Sequence, residues 1–161
     1  LEAMNADKEV MKYFPSTLSK AENKAMFHRL RQHYQQYQHT YFAVELRSTG
    51  AFIGFIGLAY QHYVSAFTPA VDIGWRLMPH AWGKGYATEG AQCCLQFGFQ
   101  QLHLTQIIST CTLANTASEN IMQKIGMRKL DTFQHPKLTD YPEYVACVAY
   151  GISKAEWENG L

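Results

Sequence analysis

The sequence has no C-x-x-C pair, no lysine- or arginine-rich run and no recognisable signal peptide. It also has no apolar stretch of the ~18 residues that a membrane-spanning helix needs. Each absence closes a class. With 14 Lys+Arg against 13 Asp+Glu and a formal net charge of +1, nothing draws the chain as a whole toward nucleic acid. The four cysteines, Cys93, Cys94, Cys111 and Cys147, lack zinc-ligand spacing, and an adjacent pair in a helical pattern suits neither a disulfide framework nor a metal knuckle. They read as reduced core thiols, which implies a cytoplasmic protein without a metal. Charged residues are 17% against 47% hydrophobic, which excludes a disordered chain. No repeat, low-complexity tract or linker interrupts the 161 residues, so 1–161 reads as a single domain with its own core.

What is present is organised around residues 71–90, VDIGWRLMPHAWGKGYATEG. The stretch reads as a strand over 71–77, a break at Met78-Pro79, a turn Gly83-Lys84-Gly85 and a helix. The first N–H groups of a helix have no internal partner and sit at the positive end of its dipole. A glycine turn feeding them therefore suits an anion such as a pyrophosphate, because glycine permits close approach and unusual dihedrals. The plainer reading is a strand-to-helix turn in which the glycines serve geometry alone. A P-loop is excluded: Met78 stands where G-x-x-x-x-G-K-[ST] requires its first glycine, and Gly85 follows Lys84. A dinucleotide-binding fingerprint is poorly matched, with Thr88 in place of its third glycine and no acid near Ile107.

The rest of the chain supplies a mixed sheet. A helix is predicted within 1–14 and stops before Pro15. Ser19-x-x-Glu22 is a capping box for a second helix reaching about Gln38, with Ala21, Met26, Leu30, Tyr34 and Tyr37 at helical spacing and a solvated, tyrosine-rich end. Strands follow over 41–47 and 51–60, joined by the hairpin Ser48-Thr49-Gly50, and then over 70–77. A helix over 84–102 and a strand over 105–113 complete a parallel crossover. A helix over 116–125 ends at Gly126, strands occupy 128–133 and 144–152, and Ser153-x-x-Glu156 caps a final helix. The order β-β-β-α-β-α-β-β gives a mostly antiparallel α/β sheet. Its one parallel junction lies between 70–77 and 105–113, and ligands bind beyond the carboxyl ends of such strands.

His80 through Gly85 matches the pattern [Q/R]-x-x-G-x-[G/A] at every position but the first. Together with Asp72-Ile73-Gly74-Trp75, Trp82 through Glu89, and Asn115 through Met127 (N-x-x-S-x-x-x-M-x-K-x-G-M), it resembles the GNAT N-acetyltransferases, and within them the branch that acetylates ribosomal-protein N-termini. The resemblance implies the GNAT fold, in which the two parallel strands splay apart and the pantetheine arm of acetyl-CoA lies between them. It further implies acetyl-CoA as co-substrate and direct transfer to a primary amine, either a protein N-terminus or a small molecule; amino sugar, polyamine and amino acid all stay open. By the same resemblance, backbone groups of Leu77 and Met78 pair with the arm, Trp82, Gly83, Lys84, Gly85, Tyr86 and Ala87 hold the pyrophosphate, and Asn115 meets an amide of the arm. Ordinary ladder pairing for Leu77 and Met78, and an N-cap for Asn115, are the plainer readings.

Thioester aminolysis needs a donor for the departing thiolate and a base for the amine. Many GNAT enzymes place a tyrosine seven positions after the asparagine, but here that residue is Met122. Ser118 is then the candidate donor, against a plain first-turn serine. Deprotonating a lysine-like amine at neutral pH costs roughly 4 to 5 kcal/mol, and an α-amine only about 1. Asp72 is the candidate base, against a structural acid paired with Arg76 or a backbone group; Glu143 and Tyr141 are weaker candidates, and Cys147 reads as a core thiol. The family's first strand has no counterpart here. That leaves the 41–47 strand with an open edge, to be covered by an irregular segment or paired with a second copy in a homodimer. This departure, with His80 and Met122, keeps a non-catalytic coenzyme A-binding module as the second reading.

Overall fold

The computed structural model describes residues 1–160. Helices α1 (Glu2–Ala6) and α2 (Lys20–Tyr37) precede strands β1 (Tyr41–Glu45), β2 (Phe52–Gln61) and β3 (Ala70–Leu77). After a short 3-10 turn at Pro79–Ala81 come α3 (Tyr86–Gln100), β4 (Gln106–Thr112), α4 (Thr116–Lys124), β5 (Arg128–Gln134), β6 (Ala146–Ser153) and α5 (Lys154–Asn159). The six strands form one sheet in the order β1-β2-β3-β4-β6-β5, with β1 at an edge. Among the described residues, no helix is long and apolar enough to cross a membrane.

The expected parallel junction is present and very short. β3 and β4 share one register pair, Asp72 opposite Ile108, while the β3–β2 ladder runs from Ala70 to Leu77. The Ser109 hydroxyl donates to the Ile73 carbonyl at 2.9 Å, one residue beyond that pair. A side chain thus takes a strand acceptor, and the two strands part.

Alternation along β3 sorts its side chains. Val71 and Ile73 are buried against Ala91, Leu95 and Phe99 of α3, Met122 of α4 and Ile125 just after it. Asp72, Gly74 and Arg76 fall on the opposite face, where Met4 and Val10 pack with Phe55. Gly74 matters on that face: a Cβ there would meet ring atoms of Tyr41 at 3.0 to 3.2 Å. Without one, the Tyr41 ring lies over the strand.

The amino-terminal segment is helical only over Glu2–Ala6. Asp7 Oδ1 accepts from the N–H groups of Glu9 at 2.8 Å and Val10 at 3.4 Å, a local bond that competes with helix continuation. Asn5, fully buried, donates to Asn23 at 2.7 Å and ties the segment to α2. Both serine capping boxes form as expected. The tyrosines of α2 divide: Tyr34 is exposed, whereas Tyr37 is half-buried and stacks on Tyr60 with ring centroids 5.3 Å apart. The cysteines are free, but Cys93 is exposed and so is not a core thiol, because its place on α3 faces away from the sheet.

β2 runs past the start of β1, since Tyr41 stands opposite Gly57. At Tyr60 an imidazole replaces the missing neighbour: the Tyr60 N–H donates to His33 Nε2 at 2.8 Å, and His33 Nδ1 lies 2.8 Å from the His39 carbonyl. One nitrogen must accept and the other donate, so His33 is neutral with its proton on Nδ1. Burial, the largest cause, holds its pKa below the usual histidine value. The folded state therefore takes up this proton less readily than the unfolded chain, and the contribution is complete above about pH 6.5 and lost as the pH falls below it. The stability gap between the parent and His33→Gln, about 1 kcal/mol for the bond, should shrink when urea midpoints are compared at neutral and mildly acidic pH. A gap that widens toward acid would contradict this.

Candidate active site

A cavity of about 420 Å³ opens at the carboxyl ends of β3 and β4, within the range of small-molecule sites. Of the residues expected at a cofactor, Leu77, Trp82, Gly83, Gly85, Tyr86, Ala87, Asn115 and Ser118 line it, whereas Met78 and Lys84 do not. Met78 packs instead toward Met4, Val10 and Phe55, and Lys84 is exposed on the turn.

The turn is shaped for an anion. Gly83 has φ +70° and Gly85 φ +83°, and a Cβ built on either meets no atom within 4 Å. Gly85 caps α3 with no side chain over the first N–H groups of that helix, so these donors face open space.

Beneath the turn, the Trp82 indole N–H donates to the Leu77 carbonyl at 2.8 Å, and the Met78 N–H donates to Ile53 at 2.8 Å. Those two groups are therefore occupied within the protein. Alternation turns the Leu77 N–H and both backbone groups of Trp75 toward the gap left by β4. Across the gap, Asn115 caps α4 with its Oδ1 accepting from the Ser118 N–H at 3.1 Å. Its amide nitrogen and the Ser118 hydroxyl have no protein hydrogen-bond partner among the described residues. Met122 is buried in the main core and cannot reach the cavity.

Asp72 stands at the single rung joining β3 to β4, outside the cavity lining. It does not pair with Arg76. The Tyr41 hydroxyl donates to its Oδ1 at 2.7 Å. Burial pushes the Asp72 pKa up to about 6, against the opposing bonds from Tyr41 and Gln61 and the charge of Lys137. Tyr141 and Glu143 are exposed and do not line the cavity. Cys147 is buried, and burial lifts its thiol to about 11, so it is not a thiolate at neutral pH.

Sequence reading missed one wall. Glu9, Lys12, Tyr13 and Phe14 of the amino-terminal segment line the cavity, with the Arg76 side chain of β3 against Phe14. No motif marks the segment, because tertiary packing alone brings it there. The one available signal was a second charged residue, Arg76, in a strand that already carries Asp72.

The model of the acetyltransferase (GNAT) domain family matches residues 1–128. The chain belongs to the GNAT acetyltransferase family. This GNAT chain is 34% identical over 155 residues to YnaD of Bacillus subtilis, an uncharacterized N-acetyltransferase, covering 94% of this chain and 85% of that protein. It is 32% identical over 113 residues to an FsC-acetyl coenzyme A-N(2)-transacetylase of Aspergillus fumigatus, covering 67% of this chain and 48% of the relative. A GNAT-family acetyltransferase of Bacillus anthracis superposes with a TM-score of 0.77 at 29% identity, covering 96% of this chain and 87% of the other. A spermidine N-acetyltransferase of Vibrio cholerae in complex with CoA and spermine has a TM-score of 0.74 at 16% identity, over 98% and 90% of the two chains, and shares the fold. The GNAT fold expected from the motifs is thus the fold observed. The protein is a GNAT-type N-acetyltransferase, and GNAT acetyltransferases use acetyl-CoA.

The glycine turn can be tested directly. Coenzyme A should raise the melting temperature, since a ligand of the folded state stabilises it by mass action. Gly85→Asp sets a carboxylate into the open space before the α3 donors, and the shift should vanish; a Gly85→Asp protein that melts at the parental temperature yet still responds to coenzyme A would refute the assignment.

Proposed function

We propose that this enzyme transfers the acetyl group of acetyl-CoA directly to a primary amine, with Ser118 as hydrogen-bond donor to the leaving sulfur and Asp72 as the base. The observation that carries the reading is the alignment of one cavity along three features. These are the open donors at the start of α3, the parted strands β3 and β4, and the Ser118 hydroxyl at the start of α4. A pyrophosphate at the first and an extended arm in the second would bring a thioester toward the third.

In the transfer itself, the neutral amine attacks the thioester carbonyl, a C–N bond forms, and the C–S bond breaks. One proton leaves the amine, and the thiolate is stabilised by a donor before it is protonated. With a pKa of about 6, Asp72 is a carboxylate at neutral pH and can accept that proton. Since it lies outside the cavity lining, a water must carry the proton to it. The cost of neutralising the amine favours an α-amine, at about 1 kcal/mol, over a lysine-like amine at roughly 4 to 5. The resemblance to ribosomal-protein N-terminal acetyltransferases points to such an amine. So does the name of the Aspergillus relative, which places the acetyl group on an N(2) nitrogen. The free cysteines fit a cytoplasmic location.

Ser118→Ala removes a hydroxyl without a hydrogen-bond partner among the described residues, so the fold should survive. Its interaction strengthens as charge develops on sulfur, so kcat should fall about 10- to 1000-fold with acetyl-CoA affinity nearly unchanged. Turnover within about twofold of the parent would leave Ser118 as a helix-start serine.

Asp72 supplies the pH dependence. Its carboxylate is the active form, so kcat/KM, which already falls below the amine's own pKa, should gain a further acid limb and drop more steeply below about pH 6. In Asp72→Asn that acid limb should disappear and the remaining rate be low across the range. An unchanged limb in Asp72→Asn would assign it to another group.

A further inference from the structure

Arg76 is a half-buried cation with no ion-pair partner among the described residues, although Glu9 lines the same cavity. One guanidinium nitrogen donates to Asn5 Oδ1 at 2.7 Å, and the group sits under Phe14, 4.1 Å from the ring centroid, with Phe55 at 5.2 Å. Its Nε is buried without a partner, and the residue lines the cavity. Burial lowers its pKa to about 10, which leaves it charged at neutral pH. A charge taken out of water is ordinarily matched by a counter-charge or a full set of hydrogen bonds. Among the described residues, one amide oxygen and two aromatic faces meet this half-exposed group, and its Nε is enclosed without a partner.

A structural tie to Asn5 explains one donor of a five-donor fork. It does not explain why a cation, rather than a neutral amide, faces the cavity. The position narrows the ligand. Arg76 shares with Asp72 the face of β3 turned away from α3, ~13 Å further along at ~3.3 Å per residue. The pyrophosphate site at Gly83 and Gly85 has its own donors at the start of α3. Phe14 of the amino-terminal wall covers the guanidinium, and Glu9 and Lys12 line the same cavity, with Lys12 5.4 Å from the Trp82 ring.

We infer that the acceptor carries a carboxylate close to its amine, as an α-amino acid does, and that Arg76 binds that carboxylate through its free guanidinium donors. This rests on the transferase reading above and adds the class of acceptor to it. A planar fork matches a carboxylate in two parallel bonds. Polyamines, which are all cation, would meet an uncompensated like charge at Arg76.

The test compares free α-amino acids with the same compounds as carboxamides, using thiol release from acetyl-CoA. The amide's amine is the more easily deprotonated, so the chemistry alone favours the amide. Binding at Arg76 should reverse this and give the acids a kcat/KM about 10- to 100-fold higher. In Arg76→Gln the preference should collapse, while the KM for acetyl-CoA stays as in the parent. Arg76→Lys, which keeps the charge without the fork, should lie between and serves if Arg76→Gln does not fold. A second readout needs no turnover: with the protein saturated in coenzyme A, N-acetylamino acids should raise the melting temperature and their amides should not.

Equal treatment of acids and amides in both readouts overturns the inference, as does the absence of both turnover and carboxylate binding. Loss of coenzyme A affinity in a folded Arg76→Gln also overturns it, because Arg76 would then serve the cofactor phosphates. If coenzyme A still stabilises the parent when the carboxylate preference fails, only the acceptor class is wrong. If coenzyme A does not bind at all, the transferase reading falls with it.

Discussion

The separation of β3 from β4 after a single rung is the constraint on which the rest of the molecule depends. A sheet normally satisfies every strand N–H and C=O with its neighbour, and leaving such groups bare in the interior is costly. Here the Ser109 hydroxyl occupies the Ile73 carbonyl and the Trp82 indole occupies that of Leu77, so the opening strand edges are partly satisfied by side chains. What remains between these two bonds, chiefly at Trp75, is a short stretch of backbone suited to another extended chain. The cavity is therefore a consequence of sheet geometry, held open by residues that form no part of the chemistry.

The same strand distributes charge. One face of β3 is packed into the core, and the other carries Asp72 and Arg76 separated by Gly74. Tyr41 fills the space over that glycine and reaches the carboxylate. Had the two charged groups met, each would have neutralised the other. The Tyr41 ring and the Asn5 amide keep each with a neutral partner instead, so both charges stay available. Partial desolvation then raises the pKa of Asp72 to about 6 and lowers that of Arg76 to about 10, which leaves both charged at neutral pH.

Local signals carried most of the fold. The capping boxes at Ser19 and Ser153, the β-branched and aromatic runs of β2 and β3, and the glycine turn before α3 each act within a few residues, and the elements they set, unlike α1, formed within one to two residues of their expected bounds. The site divided along the same line. Most residues contiguous with the turn, Met78 and Lys84 excepted, and the Asn115–Ser118 pair fall on one cavity because a short spacing keeps them together. The partner of Asp72 could not be read in this way, because Tyr41 lies far away in sequence and reaches it only through the β1–β2–β3 register. Nor could the amino-terminal wall. An Asx turn at Asp7 redirected a segment whose composition suggested continued helix, and the Asn5–Asn23 bond then fixed it over Arg76. Neither event leaves a periodic trace.

The placement of the indoles has an optical consequence. The chain has three tryptophans, and Trp75 and Trp82 both line the cavity, the latter 41% exposed. Trp157 lies apart from them, 5.4 Å from Phe99 on the α3 side of the sheet. The emission colour of an indole follows the polarity and mobility of its surroundings, so two of the three natural fluorophores are positioned to change when the cavity fills and the third serves as an internal reference. The enzyme therefore carries a label-free reporter of occupancy, one that follows ligands without requiring them to react.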